Sequence, residues 1–354
     1  MRRVNLDKIQ LGAILAKTII TLEGKVLLAA GMELTEEYRR KLQANGITEI
    51  YIEDEISKGI CESDVVREDI ITEAKSTVKM MMSKPSIKNS IDGQQIMEIV
   101  DRIISNILAN GDIIASLSDI RSVDDYTFSH SVNVCIYSLI IGIGLGYTGE
   151  KLRELGVGAI LHDIGKVMVP QEILKKPFQL STDEFEEIKR HTFYGYEMLK
   201  NANGISMTAS YIAMSHHERI DGSGYPYHLK DDNIHKAARI VAVSDVYDAL
   251  TSERVYRKKL MPYEVIDYIT SLSSHHFDRN AVDVFIRYIA YYPVGTAVIL
   301  NTGEKGIVSK YNKYIPTRPI VRVVMDEQGK KLCKHKEIDL VEQQECRIMD
   351  IWDI

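Results

Sequence analysis

Residues 155–166 read Leu155-Gly156-Val157-Gly158-Ala159-Ile160-Leu161-His162-Asp163-Ile164-Gly165-Lys166, an apolar segment that ends abruptly on an imidazole and a carboxylate. It lies in a long region whose apolar residues recur three and four apart, so it reads as a buried helix with His162 and Asp163 emerging at its end. That pairing suits metal coordination. An aspartate has two oxygens and can bridge two cations, while neutral imidazoles complete each shell, as in thiolate-free two-metal hydrolases. Lys166 lies four residues after His162. If the helical turn continues, both share one face, and an ammonium stands beside the metals where it can neutralise a phosphoryl oxygen.

The helical period runs from Gln94 to about Tyr292, with polar breaks near residues 118, 147, 177, 202, 221 and 274, which predicts an all-helical domain. Ser181 and Glu184 form a capping box ahead of a helix over Phe185 to Lys200, so His191 sits on a helix. His216-His217 ends the amphipathic segment Ile205 to Ser215, and His130 lies in a further helical stretch. Asp245 falls in the apolar segment Ala238 to Leu250, where a carboxylate needs a partner. Seven of the ten histidines fall between His130 and His235, so four or five helices can each offer inward ligands, as bundles do in dinuclear centres. Taken singly, each residue also has an ordinary reading. A histidine can be a hydrogen-bonded core residue, Asp245 an N-cap or the partner of Arg239, Lys166 a solvated charge, and Arg254 and Arg257 surface ion pairs worth little. His228, His235, His275, His276 and His335 are read as structural or surface residues. The glycines at 142, 144 and 146 follow a helical run, not a strand, so they are not read as a dinucleotide fingerprint.

The 354 residues are 45% apolar and 27% charged, with a net charge of −6, which excludes collagen, low-complexity disorder and a long coiled coil. Cys61, Cys135, Cys333 and Cys346 form no C-x-x-C pair, so neither a disulfide framework nor a thiolate zinc site is expected, and a reducing cytoplasm fits best. The first residues lack the apolar stretch of a signal peptide, and Val134 to Gly146 is too short to span a bilayer. Mild negative charge without a Lys/Arg tail argues against nucleic acid polymers and anionic membranes as partners. Residues 1–56 read as a small α+β domain: a hairpin of Ala13 to Ile20 with Val26 to Ala30, a helix capped by Thr35 and stopped at Gly46, then a strand over Ile47 to Ile52. Residues 57–93 read as a helical connector, with Met80-Met81-Met82 either a partner surface or gap-filling packing. Residues 294–354 read as a small β-rich appendage around Thr296 to Leu300 and Ile320 to Met325. The stripe Ile96, Ile99, Ile103, Ile107 points to a homodimer through the connector helices, or else to packing on its own domain.

The joint pattern is what becomes recognisable. His162-Asp163-Ile164-Gly165-Lys166, then His216-His217-Glu218, then Asp221-Gly222-Ser223-Gly224-Tyr225-Pro226 resemble the HD-GYP family of HD-superfamily phosphohydrolases. Tyr126 to Ser131 and Ser244 to Ser252 extend the resemblance over roughly residues 94–293. It implies a mainly α fold: a helical HD-type metal-dependent phosphohydrolase bundle, here with a small α+β N-terminal domain and a small β C-terminal appendage. It also implies a phosphodiesterase that opens cyclic di-GMP to pGpG, and onward to GMP, by means of a metal-bridging hydroxide. Carried over by motif, His130, His162 and Asp245 hold one metal, His191, His216 and His217 the other, and Asp163 bridges. Iron or manganese are the first expectation, with zinc, nickel or cobalt as further options. Relatives with a third metal use an acidic residue where this chain has Tyr126, so two are expected. Lys166 stabilises phosphoryl charge or protonates the leaving oxygen, Arg254 and Arg257 grip the second phosphate, and Tyr225 shapes the substrate site or helps dock a signalling partner. The alternatives are hydrolysis of a related cyclic dinucleotide or nucleotide, and a sensor or scaffold that binds cyclic di-GMP without cleaving it.

Overall fold

Thr35 shows how directly the local signals operate. In the computed structural model, which describes residues 1–21, 26–61, 65–83, 91–110, 126–176, 178–252 and 259–352, its hydroxyl accepts from the Tyr38 amide and starts helix α1, Glu36–Ala44. Gly46 closes it with a φ of 70°. Around α1 lie short strands β1 (Arg2–Asn5), β2 (Ile14–Leu15), β3 (Ile19–Ile20), β4 (Val26–Leu28) and β5 (Glu49–Glu53). The expected hairpin partner Ala13 to Ile20 divides: β2 pairs with β5, and only β3 pairs with β4.

The chain forms two compact units. One joins the N-terminal segment through Val65 to the chain from Ile289 onward, so 1–56 and 294–354 lie together in it. Its second half is a five-stranded antiparallel sheet of β6 (Ala297–Leu300), β7 (Lys305–Lys310), β8 (Ile320–Met325), β9 (Lys331–Asp339) and β10 (Ile348–Ile351), in the order β10-β6-β7-β8-β9. Ile60 enters the same apolar cluster as Val298, Ile307 and Val321, and the Arg3 amide donates to the Gly295 carbonyl.

The other unit is helical: α2 (Glu68–Met82), α3 (Gly93–Ala109), α4 (Tyr126–Gly144), α5 (Gly149–Leu161), α6 (Gln171–Leu174), α7 (Thr182–Lys189), α8 (His191–Leu199), α9 (Met207–Ser215), α10 (Lys236–Thr251), α11 (Pro262–Ser271) and α12 (Arg279–Tyr288). Helix α4 is central, packing against α5, α10, α2 and α12. It contains an 18-residue window, Thr127–Gly144, long and apolar enough to cross a bilayer, and 78% of that window is buried inside the fold. Ile96, Ile99, Ile103 and Ile107 on α3 are all buried, beside α5 and α2, so the stripe packs on its own unit, the second of its two expected roles. Met81 likewise turns inward, while Met80 stays 44% exposed.

Two local departures set up the site. The Ser181–Glu184 capping box forms as expected, but the helix over Phe185 to Lys200 breaks at Arg190, and His191 becomes the first residue of α8. After α5 the chain tightens into a 3-10 turn, Ile164–Met168, instead of continuing as α-helix. Gly165 makes that turn possible: a Cβ there would run into the His191 carbonyl oxygen and the Gly195 amide nitrogen. The Gly165→Ala chain is therefore expected to lose about 1–3 kcal/mol of stability as the turn is pushed off α8. A thermal melt equal to the parent's would show that α8 gives way without cost.

Candidate metal centre

His162 ends α5 and Asp163 follows it into the 3-10 turn, which aims the carboxylate back among four helices. His130 comes from α4, His191 from the start of α8, His216 from the C-cap of α9 with His217 after it, and Asp245 from the middle of α10. All seven side chains expected to hold metal meet in two groups: His130, His162 and Asp245, and Asp163, His191, His216 and His217. Asp163 faces both. Its Oδ2 lies 3.3 Å from His162 Nε2 and 3.8 Å from His130 Nε2, and its Oδ1 lies 3.4 Å from His191 Nε2 and 3.9 Å from His216 Nε2. Asp245 Oδ1 is 3.1 Å from His130 Nε2 and its Oδ2 is 3.7 Å from His217 Nδ1.

These spacings fit cations. Two donors each about 2.1 Å from one ion sit about 3.0–3.5 Å apart at neighbouring corners of an octahedron or tetrahedron. His191 Nε2 and His216 Nε2 approach to 3.4 Å, a contact between two lone pairs if both rings are neutral, and a shared ion turns it into two bonds. Buried His162 Nε2 and Asp163 Oδ1 have no hydrogen-bond partner, an arrangement that a cation relieves. The remaining ring nitrogens are engaged: His162 Nδ1 donates to the Ala159 carbonyl at 2.7 Å, His191 Nδ1 to Ile188 at 2.7 Å, and His216 Nδ1 to Ile212 at 3.1 Å. Each such bond fixes the tautomer that leaves Nε2 as a donor to metal. Five imidazoles and two carboxylates with no thiolate form a divalent-metal donor set.

The electrostatics divide the same way. Burial alone would raise Asp163, but Lys166 and then His162 and His191 hold it well below the usual carboxylate range. Burial is likewise outweighed at Asp245 by His130 and His217, which keep it ionised. Burial pushes His191 down to about 4 and His216 to about 3, and it drives His217 well below its ordinary value, so these three are neutral at pH 7. At His130 burial also pulls downward, yet the hydrogen bonds to Asp245 and Asp248 prevail and raise it to about 9.

Lys166 meets His162 at one atom of the site, Asp163 Oδ2, which lies 3.3 Å from His162 Nε2. In a 3-10 turn residues three apart eclipse, so its ammonium sits on Asp163 Oδ2 at 2.5 Å. Tyr225 stacks on the His217 ring at 4.7 Å, and burial raises its phenol, which stays protonated. Gly224 lets that turn close: a Cβ there would strike the His217 carbonyl oxygen and the Arg219 amide. Arg254 and Arg257 lie outside the described residues, and so does the side chain of Tyr126. Asp245 neither caps a helix nor pairs with Arg239, which bonds Asp232 and Asp278.

Sequence reasoning passed over three supports. Asp248 accepts from His130 Nδ1 at 2.8 Å, Asn133 donates to the same carboxylate at 2.8 Å, and buried Glu218 accepts from the Tyr227 and Leu229 amides. The available signal was position: Asp248 and Asn133 are polar residues three after Asp245 and His130 in apolar helices.

A profile described as an HD domain matches residues 120–281, and one described as a KOW domain associated with HD domain matches residues 297–354. A cyclic di-GMP phosphodiesterase of Pseudomonas aeruginosa is 34% identical over 271 residues, 77% of this chain and 65% of that protein. A 3'3'-cGAMP-specific phosphodiesterase of Vibrio cholerae is 34% identical over 190 residues, 53% of this chain and 43% of that protein. The chain spans less than two thirds of the length of these curated relatives. The solved HDG"Y"P protein of Bdellovibrio bacteriovorus shares the fold at a TM-score of 0.50 and 16% identity, covering 80% of this chain and 97% of that one.

Two outcomes are expected. His130 is raised from 6.5 to about 9, so its stabilising contribution is full below pH 6.5 and is lost as pH rises through 9; His191 and His216 are depressed, so theirs is full above pH 6.5 and is lost as pH falls toward 4 and 3. Melts in chelator from pH 4 to 9.5 should therefore peak near pH 6.5, and a curve rising steadily to pH 9 would contradict the assignment. Glu218→Ala removes a buried acceptor from two part-buried amides and should cost about 1–3 kcal/mol while freeing Tyr225 from His217, read as altered tyrosine fluorescence.

Proposed function

The chain belongs to the HD domain family, in its HD-GYP branch, and from that premise we propose that it is a cytoplasmic, metal-dependent phosphodiesterase that opens cyclic di-GMP to pGpG and then to GMP. The observation that carries the proposal is the convergence of two ligand groups on the two oxygens of Asp163. His130, His162 and Asp245 would hold one cation, His191, His216 and His217 the other, with Asp163 shared. Iron or manganese suits this set best, with zinc, nickel or cobalt able to replace them. When bound, two such cations supply Lewis acidity, lowering the pKa of water and taking up charge on phosphoryl oxygens.

The chain's own residues do the rest. Asp163 and Asp245 stay ionised and hold the cluster together, while the neutral trio His191, His216 and His217 offers lone pairs at physiological pH. Lys166, 29% exposed at the cluster's edge, carries a proton within reach of a phosphoryl oxygen and can deliver it to the leaving 3′-oxygen. Arg254 and Arg257 follow α10 in sequence and supply the fork for the second phosphate. Tyr225, flat against His217, walls the site and limits how the ring of the dinucleotide sits. The exposed turn around it, with Tyr227 57% exposed, offers a signalling partner a place to touch. Four free cysteines suit the cytoplasm, where such a nucleotide would be met.

Cyclic di-GMP is ranked above 3'3'-cGAMP because the cyclic di-GMP relative aligns over 271 residues and the cGAMP-specific one over 190. Protein loaded with iron or manganese without oxygen, incubated with each cyclic dinucleotide and resolved by ion-pair chromatography, should yield pGpG and then GMP from cyclic di-GMP. Asp163→Asn should lose both metal and turnover, and Lys166→Met should lower kcat by about 10²–10⁴-fold with metal retained. Filled metal positions with every cyclic dinucleotide left intact would leave only the binding-protein reading.

A further inference from the structure

The imidazoles of the cluster are not anchored alike. His162, His191 and His216 donate their Nδ1 protons to backbone carbonyls, whereas His130 Nδ1 donates to the carboxylate of Asp248 at 2.8 Å. Asp248 is 1% exposed and lies three residues after Asp245 on α10. Its other oxygen accepts from Asn133 Nδ2 at 2.8 Å, and Ser252 Oγ adds a donor at 3.3 Å. The carboxylate is thus held from three directions, and His130 stands between two acids, Asp248 behind it and Asp245 in front at 3.1 Å.

We propose that Asp248 is a positioning residue that makes the two metal positions unequal, so that the group of His130, His162 and Asp245 takes its cation first and holds it more tightly. This rests on the metal reading of the site and adds to it a ranking of the positions. A carboxylate behind an imidazole fixes its tautomer and orientation and raises its electron donation to the metal, whereas a backbone carbonyl fixes the tautomer with less charge behind it. Charge favours the same group. It has Asp245 and one oxygen of Asp163, with Asp248 one residue removed, while the other group has three neutral imidazoles and the second oxygen of Asp163. Lys166 opposes this from Asp163 Oδ2, but its side chain is 29% exposed and screened, whereas Asp248 is buried and acts through a lower dielectric.

Metal-free protein titrated with Mn(II), with free ion read by electron paramagnetic resonance, should show two classes of site. Asp248→Asn should weaken the tighter class about 10–100-fold and leave the weaker one unchanged. Asn133→Ala, which removes a donor to Asp248 without touching His130, should keep both classes. A variant-free reading is also available from histidine ¹⁵N NMR: one equivalent of Zn(II) should shift His130 and His162 before His191 and His216. A single class in the parent, equal weakening of both classes in Asp248→Asn, or first shifts at His191 and His216 would each overturn the ranking while leaving the metal reading intact. Parent protein that takes up neither metal would overturn both.

Discussion

A carboxylate sealed among imidazoles is the constraint around which the helical unit is organised. Asp163 is 1% exposed, and burying a lone charge costs several kcal/mol unless other charges or donors meet it. Here Lys166 meets one oxygen, and histidines from α4, α5, α8 and α9 face both. Every one of those side chains must arrive within about 4 Å, which dictates where α5 ends, where α8 begins and how closely the 3-10 turn lies on α8. A cation pair would satisfy the same arrangement with higher charge, so the demands of folding and of metal binding would coincide at this residue.

The supporting shell is uneven. Backbone carbonyls at the ends of helical segments orient three of the five imidazoles, and a buried side-chain carboxylate orients a fourth, His130. His130 lies inside α4, and its Nδ1 is met from a neighbouring helix by Asp248 on α10. Glu218 does comparable work for the turn that carries Tyr225, its buried carboxylate receiving the Tyr227 and Leu229 amides.

Much of this was legible in the residues themselves. The helical period, the Ser181–Glu184 box, the Thr35 cap and the β-branched runs near the C-terminus all act locally, and each element formed where its own side chains called for it. The ligand set was legible through its resemblance to a known family, because the imidazoles and acids recur in motifs whose chemistry tolerates few substitutes. Less legible were features that depend on a neighbour. Nothing local announces that the segment after Ser181 breaks at Arg190, or that Ala13 to Ile20 serves two sheets; each break answers to the surface the segment packs against. The stripe on α3 carried a pattern that two different partners would satisfy equally, and only packing against α5 and α2 chose between them.

From the sequence came the helical class of the central region, which rests on short-range spacing, and, through its resemblance to a known family, the candidate metal-binding side chains and the chemistry they could support. Tertiary structure decided which oxygen of Asp163 faces which histidines, that Lys166 and His162 meet at Asp163 Oδ2, and that Asp248 stands behind His130. Those are relations between residues more than a hundred positions apart, or between turns of different pitch, and no local propensity encodes them. They follow only when the helices pack and every buried polar group has to find a partner.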